Sequence, residues 1–167
     1  VENGGVGGVM SGLDIERAFL ALPYIGAAQR CLDLSLDYAA TRRQFGRPIG
    51  SFQMIQSMLA EMATLIDAAR LYAFHALAAC DALARGEGGR GTIHRLCAGS
   101  VLMGAEMIAR VTDMAVQIHG GSGFIWETEV NRHYRNARIA SLGGGTTEVR
   151  KLIIAEELFR ERGLRLE

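Results

Sequence analysis

The sequence predicts an all-α chain, an antiparallel helical bundle of three long helices plus two shorter ones. Three observations carry this. Apolar residues recur in steps of three and four along two long stretches, the period of one helix face. Short glycine-rich or proline-containing connections separate the helical stretches, and short connections make sequential helices antiparallel neighbours. No segment alternates strictly enough to read as a convincing strand, and no internal repeat appears.

Residues 1–10, rich in glycine, read as an interdomain linker, with a helical-bundle domain over 11–167. Ser11-Gly12-Leu13-Asp14 has the hydroxyl-x-x-acid form of a helix start, so the first long helix is expected from Ser11 to about Ala40. Pro23 falls inside it, removes one ladder hydrogen bond and predicts a kink near Leu20–Pro23. Arg42 to Gly50 breaks the periodicity with two glycines and a proline and reads as a structured loop.

The second helix is expected from about Ser51 to before Ala84. Its apolar stripe is Phe52, Ile55, Leu59, Met62, Leu65, Ala69, Tyr72, Ala76 and Cys80. The third runs from about Thr92 to His119 with Cys97, Val101, Ala105, Ile108, Val111, Ala115 and Ile118 on one face. The small residues there predict close helix packing. A short helix over Glu129–Ala137 and a last one from Thr147 to about Glu161 complete the chain, packed across one end of the bundle.

The totals exclude several classes. Eighteen basic and 18 acidic residues give zero formal charge, without the basic stripe of a nucleic-acid module. No 18-residue apolar run is present, so no membrane span is expected. Cys31, Cys80 and Cys97 are odd in number and far apart, which argues for core burial in a reducing compartment. The four histidines lack metal-ligand spacing, paired Glu-x-x-His motifs are missing, and no metal is expected. No nucleophile-elbow motif occurs, and His119 reads as a packed histidine.

The densest segment is Gln117 to Arg150. It carries two glycine clusters, Gly120-Gly121-Ser122-Gly123 and Gly143-Gly144-Gly145. The second opens onto Thr146-Thr147 at a helix N-terminus, where free N–H groups favour an anion or a polar ring edge. Plain helix–glycine–helix connections explain each cluster equally well.

Four motifs decide between these readings. SGLDIER (11–17), RRQFGRPIGSFQ (42–53), QIHGGSGF (117–124) and GGGTTEV (143–149) stand in the order and spacing of acyl-CoA dehydrogenases. The chain resembles the C-terminal helical domain of that family over essentially its whole length. The resemblance implies FAD-dependent α,β-dehydrogenation of an acyl-CoA thioester. It further implies an N-terminal helical domain and a middle β-domain outside these residues, and little FAD binding or turnover by these residues alone.

In that reaction a carboxylate removes the α-proton while a hydride leaves Cβ for the flavin. Many members carry this base just before the Gly-Thr of the last motif, where this chain has Gly144. Isovaleryl- and long-chain-type members carry it on the first long helix instead, immediately before Arg. That place is Glu16, so the resemblance implies Glu16 as the base. Taken without the resemblance, Glu16 is an acid favoured by the positive end of a helix.

By the same resemblance Asp14 and Arg17 contact the pantetheine part of CoA, and Gly144 and Gly145 lie beside the thioester. Asp14 and Arg17 also read as a cap and an i,i+3 ion pair. Arg42, Gln44 and Gln53 resemble residues of the FAD-binding loop, with Phe45 as a packing anchor. Gln117, Gly120 and Gly121 resemble a segment given to FAD across a subunit interface, and Thr146, Thr147 and Glu148 further FAD contacts. Asn136 departs from the family's usual Asp and receives no role. Gly143 replaces a frequent Tyr, which implies a wider pocket and a short or medium, branched acyl chain.

The implied partners are an acyl-CoA substrate, electron-transfer flavoprotein and further copies of the chain in a dimer of dimers. The implied location is the cytoplasm of a bacterium or a mitochondrial matrix. An acyl-CoA oxidase would differ by producing peroxide, and a non-catalytic flavin-binding scaffold by lacking flavin reduction.

Overall fold

The computed structural model describes residues 5–87 and 89–164, the side chains of residues 6–11 excepted. The three long helices are α1 (Gly5–Thr41), α2 (Gln53–Ala84) and α3 (Arg90–His119). Three shorter ones follow: α4 (Gly121–Phe124), α5 (Glu129–Ala137) and α6 (Thr147–Glu161). A hairpin of two-residue strands, β1 (Arg43–Gln44) and β2 (Arg47–Pro48), joins α1 to a 3-10 turn before α2. Among the described residues no helix is long and apolar enough to cross a membrane.

The all-α bundle and its long helices match the sequence reading, and α5 and α6 have the bounds expected of them. Three local expectations are corrected. First, α1 begins at Gly5, so the expected linker is helical over 5–10 and Ser11 lies inside the helix rather than at its cap. Propagating a long helix by a few residues is cheap once a turn exists, even through glycine. Pro23 lies inside α1, where the sequence places it. Second, the Arg42–Gly50 loop contains an antiparallel pair, Arg43 opposite Pro48 and Gln44 opposite Arg47. Its turn is Phe45-Gly46, both with positive φ (49° and 80°), the geometry whose twist suits a two-residue hairpin. Third, α4 and a 3-10 turn at Arg138–Ser141 fall in stretches too short to show a period.

The core lies between α1, α2 and α3, with α3 central and touching α1, α2, α5 and α6. Every residue of the expected α3 stripe is buried. On α2 the fully enclosed spine is Met62, Ile66, Ala69, Ala73 and Ala76, which lies to one side of the expected stripe. Small residues set the helix spacing. A Cβ on Gly104 of α3 would stand 3.2 Å from the Cβ of Ala21 on α1, so the two backbones approach as closely as they can there. At the far end His119 stacks on Tyr38 with ring centroids 4.3 Å apart, and its Nδ1 meets the Ala115 carbonyl at 2.8 Å. His119 is the packed histidine the sequence predicts.

Candidate active site

The expected site residues fall into two groups toward opposite ends of α1. One is built where the third and fourth turns of α1, the start of α3 and the Gly143–Gly145 segment meet. Arg17 and Asp14 are one helical turn apart and almost fully buried, with 5% and 4% exposure. Arg17 donates from Nε to the Gly144 carbonyl oxygen at 3.2 Å and from Nη1 to Asp14 Oδ1 at 3.3 Å. The same carboxylate oxygen meets His94 Nδ1, from α3, at 2.5 Å. A buried ion pair depends on further polar partners, and here His94 adds a second contact at Asp14 Oδ1 while the Gly144 carbonyl takes the Arg17 Nε–H.

A second arginine holds the same segment. Arg150 of α6 is fully buried and donates from Nη2 to the Gly143 carbonyl. Its Nε and Nη1 have no partner among the described residues, and desolvation pushes its pKa down. Two guanidinium groups from different helices therefore grip consecutive carbonyls of the glycine segment. Arg150 received no role from the sequence. A lone Arg four positions into an amphipathic helix carries no burial signal, whereas Arg17 belonged to a motif.

Gly144 has φ +71°, and a Cβ there would stand 2.6 Å from Leu20 Cδ1. Its backbone therefore lies directly on α1, in a conformation that side chains rarely adopt. Leu20 is one turn beyond Glu16, and residues four apart share a helix face. Glu16 is exposed and has no hydrogen-bond or ion-pair partner among the described residues. A Cβ on Gly145 would meet Arg17 Nη2 at 3.7 Å.

The start of α6 borders this place. Thr146 caps the helix, its Oγ1 accepting from the Val149 N–H at 3.4 Å. Thr147 Oγ1 lies 3.5 Å from the Ser141 carbonyl. Its own backbone N–H and then Thr146 hold the exposed Glu148 carboxylate below its usual range. Two clefts flank the Asp14–Arg17 pair. One, of about 610 Å³, carries several charged side chains and is lined by Arg17, Arg90, His94, Val149 and Glu157. The other, of about 480 Å³, is mostly apolar and lined by Asp14, Ile15, Phe19, Leu77, Cys80 and Ile93.

The second group sits at the hairpin. Arg42, Gln44 and Gln53 are exposed, and Gln53 lies with Arg47, Ser51, Phe52 and Met54 around a cleft of about 550 Å³. Arg47 covers the Phe52 ring at 4.2 Å, and Arg43 donates to the Gly46 carbonyl at 2.7 Å. Phe45 is not the packing anchor expected: it is 91% exposed and meets Phe52 only edge-on, with centroids 6.1 Å apart. The positive φ of its turn aims it outward.

Gln117, Gly120 and Gly121 are exposed at the end of α3, and the Tyr38–His119 stack ties that end to the last turns of α1. The expected FAD residues thus divide between the hairpin end and the glycine segment. Arg17 and Arg42 are 25 residues apart along α1, roughly 37 Å at the α-helical rise.

Among the described residues no cluster of three or more His, Cys, Asp or Glu could hold a metal ion. The donors present suit a dinucleotide instead. A guanidinium without a partner among the described residues, at Arg42, suits phosphate oxygens, and the amide at Gln53 suits polar ring edges. The side-chain-free backbone at Gly144–Gly145 admits a flat group at close range.

The family profile described as acyl-CoA dehydrogenase, C-terminal domain, matches residues 3–159. The mitochondrial isovaleryl-CoA dehydrogenase of Oryza sativa subsp. japonica is 42% identical over 161 residues, 96% of this chain and 37% of that protein. The caffeyl-CoA reductase–Etf complex subunit CarC of Acetobacterium woodii is 34% identical over 95% of this chain and 40% of its own length. Among solved structures, the FAD complex of PigA superposes with a TM-score of 0.83 at 28% identity. That match covers 99% of this chain and 40% of the other. The chain spans well under half the length of these relatives. With the bundle, the glycine segment and the profile in agreement, it belongs to the acyl-CoA dehydrogenase family and corresponds to that family's C-terminal helical domain.

Proposed function

We propose that this bundle is the C-terminal domain of an FAD-dependent acyl-CoA dehydrogenase that removes the α-proton of a short or medium, branched acyl-CoA with Glu16. The packing of Gly144 against Leu20 carries the base assignment. The backbone where many relatives place their carboxylate here carries no side chain and lies on the α1 face that also bears Glu16. A carboxylate delivered from α1 can therefore serve the same location. Its lack of a partner among the described residues leaves both oxygens available to a substrate proton.

Arg17 and Arg150 hold the glycine segment at the carbonyls of Gly144 and Gly143, so the wall that faces the thioester is rigid before substrate arrives. Arg17 borders one flanking cleft and Asp14 the other, and both are assigned to the pantetheine side of the substrate. Gly143, without a side chain, leaves room for a branch near Cβ, which accords with the isovaleryl-CoA dehydrogenase among the relatives.

FAD, when bound, supplies the acceptor for the hydride that leaves Cβ. Arg42, Gln44 and Gln53 are assigned to its phosphate and adenosine parts, Thr146, Thr147 and Glu148 to the ring end, and Gln117, Gly120 and Gly121 to a neighbouring copy's cofactor. Arg42 and the glycine segment lie toward opposite ends of α1. Completing each site from two copies would bring both ends to one cofactor, so a homo-oligomer is the proposed assembly. The relatives' greater length supports an N-terminal helical domain and a middle β-domain beside this one. Electron-transfer flavoprotein is the proposed acceptor.

The test is anaerobic mixing of isovaleryl-CoA with the full-length flavoprotein and its Glu16→Gln variant, following flavin absorbance. Bleaching in the parent, with loss of at least about a hundredfold in rate in the variant, is expected for a general base. A variant that bleaches at the parent's rate removes Glu16 from the mechanism. A parent that bleaches only with straight-chain thioesters overturns the branched-substrate assignment. Peroxide formation in air would move the reading to an oxidase.

A further inference from the structure

Cys80, one turn from the end of α2, and Cys97, in the third turn of α3, place their Sγ atoms 3.5 Å apart. Both are thiols, as is Cys31, which is fully buried elsewhere. A disulfide needs about 2.04 Å between sulfurs, so a closure of about 1.5 Å would join the pair.

The two thiols differ in access. Cys97 is fully buried in a small cluster with Ala18 and Ile93, whereas Cys80 is half-buried and forms part of the wall of the apolar cleft beside Asp14. We propose that Cys80 and Cys97 form a peroxide-responsive dithiol site, in which Cys80 is oxidised first and Cys97 resolves it to an intrachain disulfide that staples α2 to α3.

The chemistry balances with hydrogen peroxide as the oxidant. The Cys80 thiolate attacks one peroxide oxygen, an S–O bond forms, the O–O bond breaks, and the leaving hydroxide takes up the thiol's proton as water. The Cys97 sulfur then attacks the Cys80 sulfur, the S–S bond forms and the S–O bond breaks. The second hydroxide leaves with the Cys97 proton. Two thiols lose two electrons and one peroxide becomes two waters. Burial, and then the neighbouring Cys80, push the Cys97 thiol up, so the first attack on peroxide is assigned to the more accessible Cys80.

The site lies under the catalytic end of the bundle. Cys97 packs against Ala18, the residue after Arg17, and stands near the Asp14 carboxylate. Drawing the sulfurs together fixes the start of α3, which carries His94 against Asp14. The proposal concerns thiol chemistry and stands whether or not Glu16 is the base.

The experiment is exposure of the native full-length protein to hydrogen peroxide, alkylation, and tryptic mapping without reductant. Cleavage after Arg70, Arg85, Arg95 and Arg110 places the two cysteines in peptides 71–85 and 96–110. The expected result is a linked 71–85/96–110 species, reversed by dithiothreitol and still formed in Cys31→Ser. A rise in Tm of about 5 °C should accompany it, from closing the loop in the unfolded chain. Cys80→Ser should abolish the linked species and leave Cys97 reduced. Accumulation of Cys80 sulfinic acid with Cys97 still alkylatable, or both thiols intact after treatment, would overturn the proposal. The mapping uses the unsubstituted protein, so it does not depend on any variant folding.

Discussion

Arg17 Nε donates to the Gly144 carbonyl oxygen at 3.2 Å across 127 positions of sequence. This single bond joins the first long helix to the glycine segment. With Asp14 on its Nη1 and His94 on the same Asp14 oxygen, it belongs to a buried network drawn from three parts of the chain. The geometry of Gly144 therefore depends on residues remote from it.

Removing Arg17 strands the Asp14 carboxylate in the interior and frees the glycine segment. Arg17→Met is expected to destabilise the protein by about 3 kcal/mol, the scale for breaking one half of a buried pair. Arg17→Lys should recover charge but not the two-pronged geometry and lose flavin-reduction rate with a smaller stability loss. Denaturant midpoints and anaerobic bleaching rates, measured together, separate the two effects. An Arg17→Met midpoint equal to that of the parent would show that the network contributes nothing.

Gly144 cannot accept a side chain as it stands. A Cβ would press on Leu20 Cδ1 at 2.6 Å and require φ +71°. Gly144→Glu is expected to cost about 1–3 kcal/mol, the range for non-glycine residues held at such φ. Combining it with Leu20→Ala should relieve the steric part but not the backbone part. In the Glu16→Gln background that double substitution should return a measurable fraction of the bleaching rate. No recovery would mean that a carboxylate at residue 144 does not reach the place Glu16 serves.

Arg150 presents the opposite balance. It is wholly buried, two of its nitrogens lack partners among the described residues, and one bond to Gly143 is its visible return. Arg150→Met should leave stability within about 1 kcal/mol of the parent, because a buried charge exchanged for an apolar chain of similar volume is often neutral or better. Flavin reduction should nevertheless slow as the Gly143 carbonyl is released. Thermal unfolding beside stopped-flow bleaching tests the split, and a large stability loss would contradict it.

Arg30 of α1 and Glu129 of α5 form a two-pronged pair at 2.8 and 3.0 Å. The Arg30 hydrogen bond lowers the Glu129 pKa from its ordinary 4.5. A depressed carboxylate stabilises the fold above its unfolded pKa, and that contribution is lost as pH falls through the lower folded value. Both side chains are partly exposed, so Glu129→Gln should cost less than about 1 kcal/mol at pH 7. The two proteins should converge in stability as pH drops below 4.5, and a gap that widens toward acid would reverse the assignment.

Helix identity was legible because periodicity is a local property. The α3 stripe from Cys97 to Ile118 and the bounds of α5 and α6 all followed from residue order and capping chemistry. The exact buried line on α2 was less so. Ile66 and Ala73 are enclosed because of where α1 and α3 lie, and period alone cannot choose between adjacent apolar stripes on one helix. The Phe45-Gly46 hairpin and α4 were missed because segments of two to four residues have no period to read.

The site divides in the same way. By itself the sequence determined which residues belong to the family's motifs: Glu16 before Arg17, Gly144 where a carboxylate is common, Arg42 and Gln53 around the loop. Only the tertiary structure decided that Gly144 rests on the Glu16–Leu20 face, that Arg17 and Arg150 hold adjacent carbonyls, that His94 supports Asp14, and that Cys80 meets Cys97. The physical reason is range. Helix propensity, capping and periodicity act over a few residues and are written along the chain. Burial, desolvation and the approach of two side chains depend on which helix faces pack together, and that is set by all the helices at once.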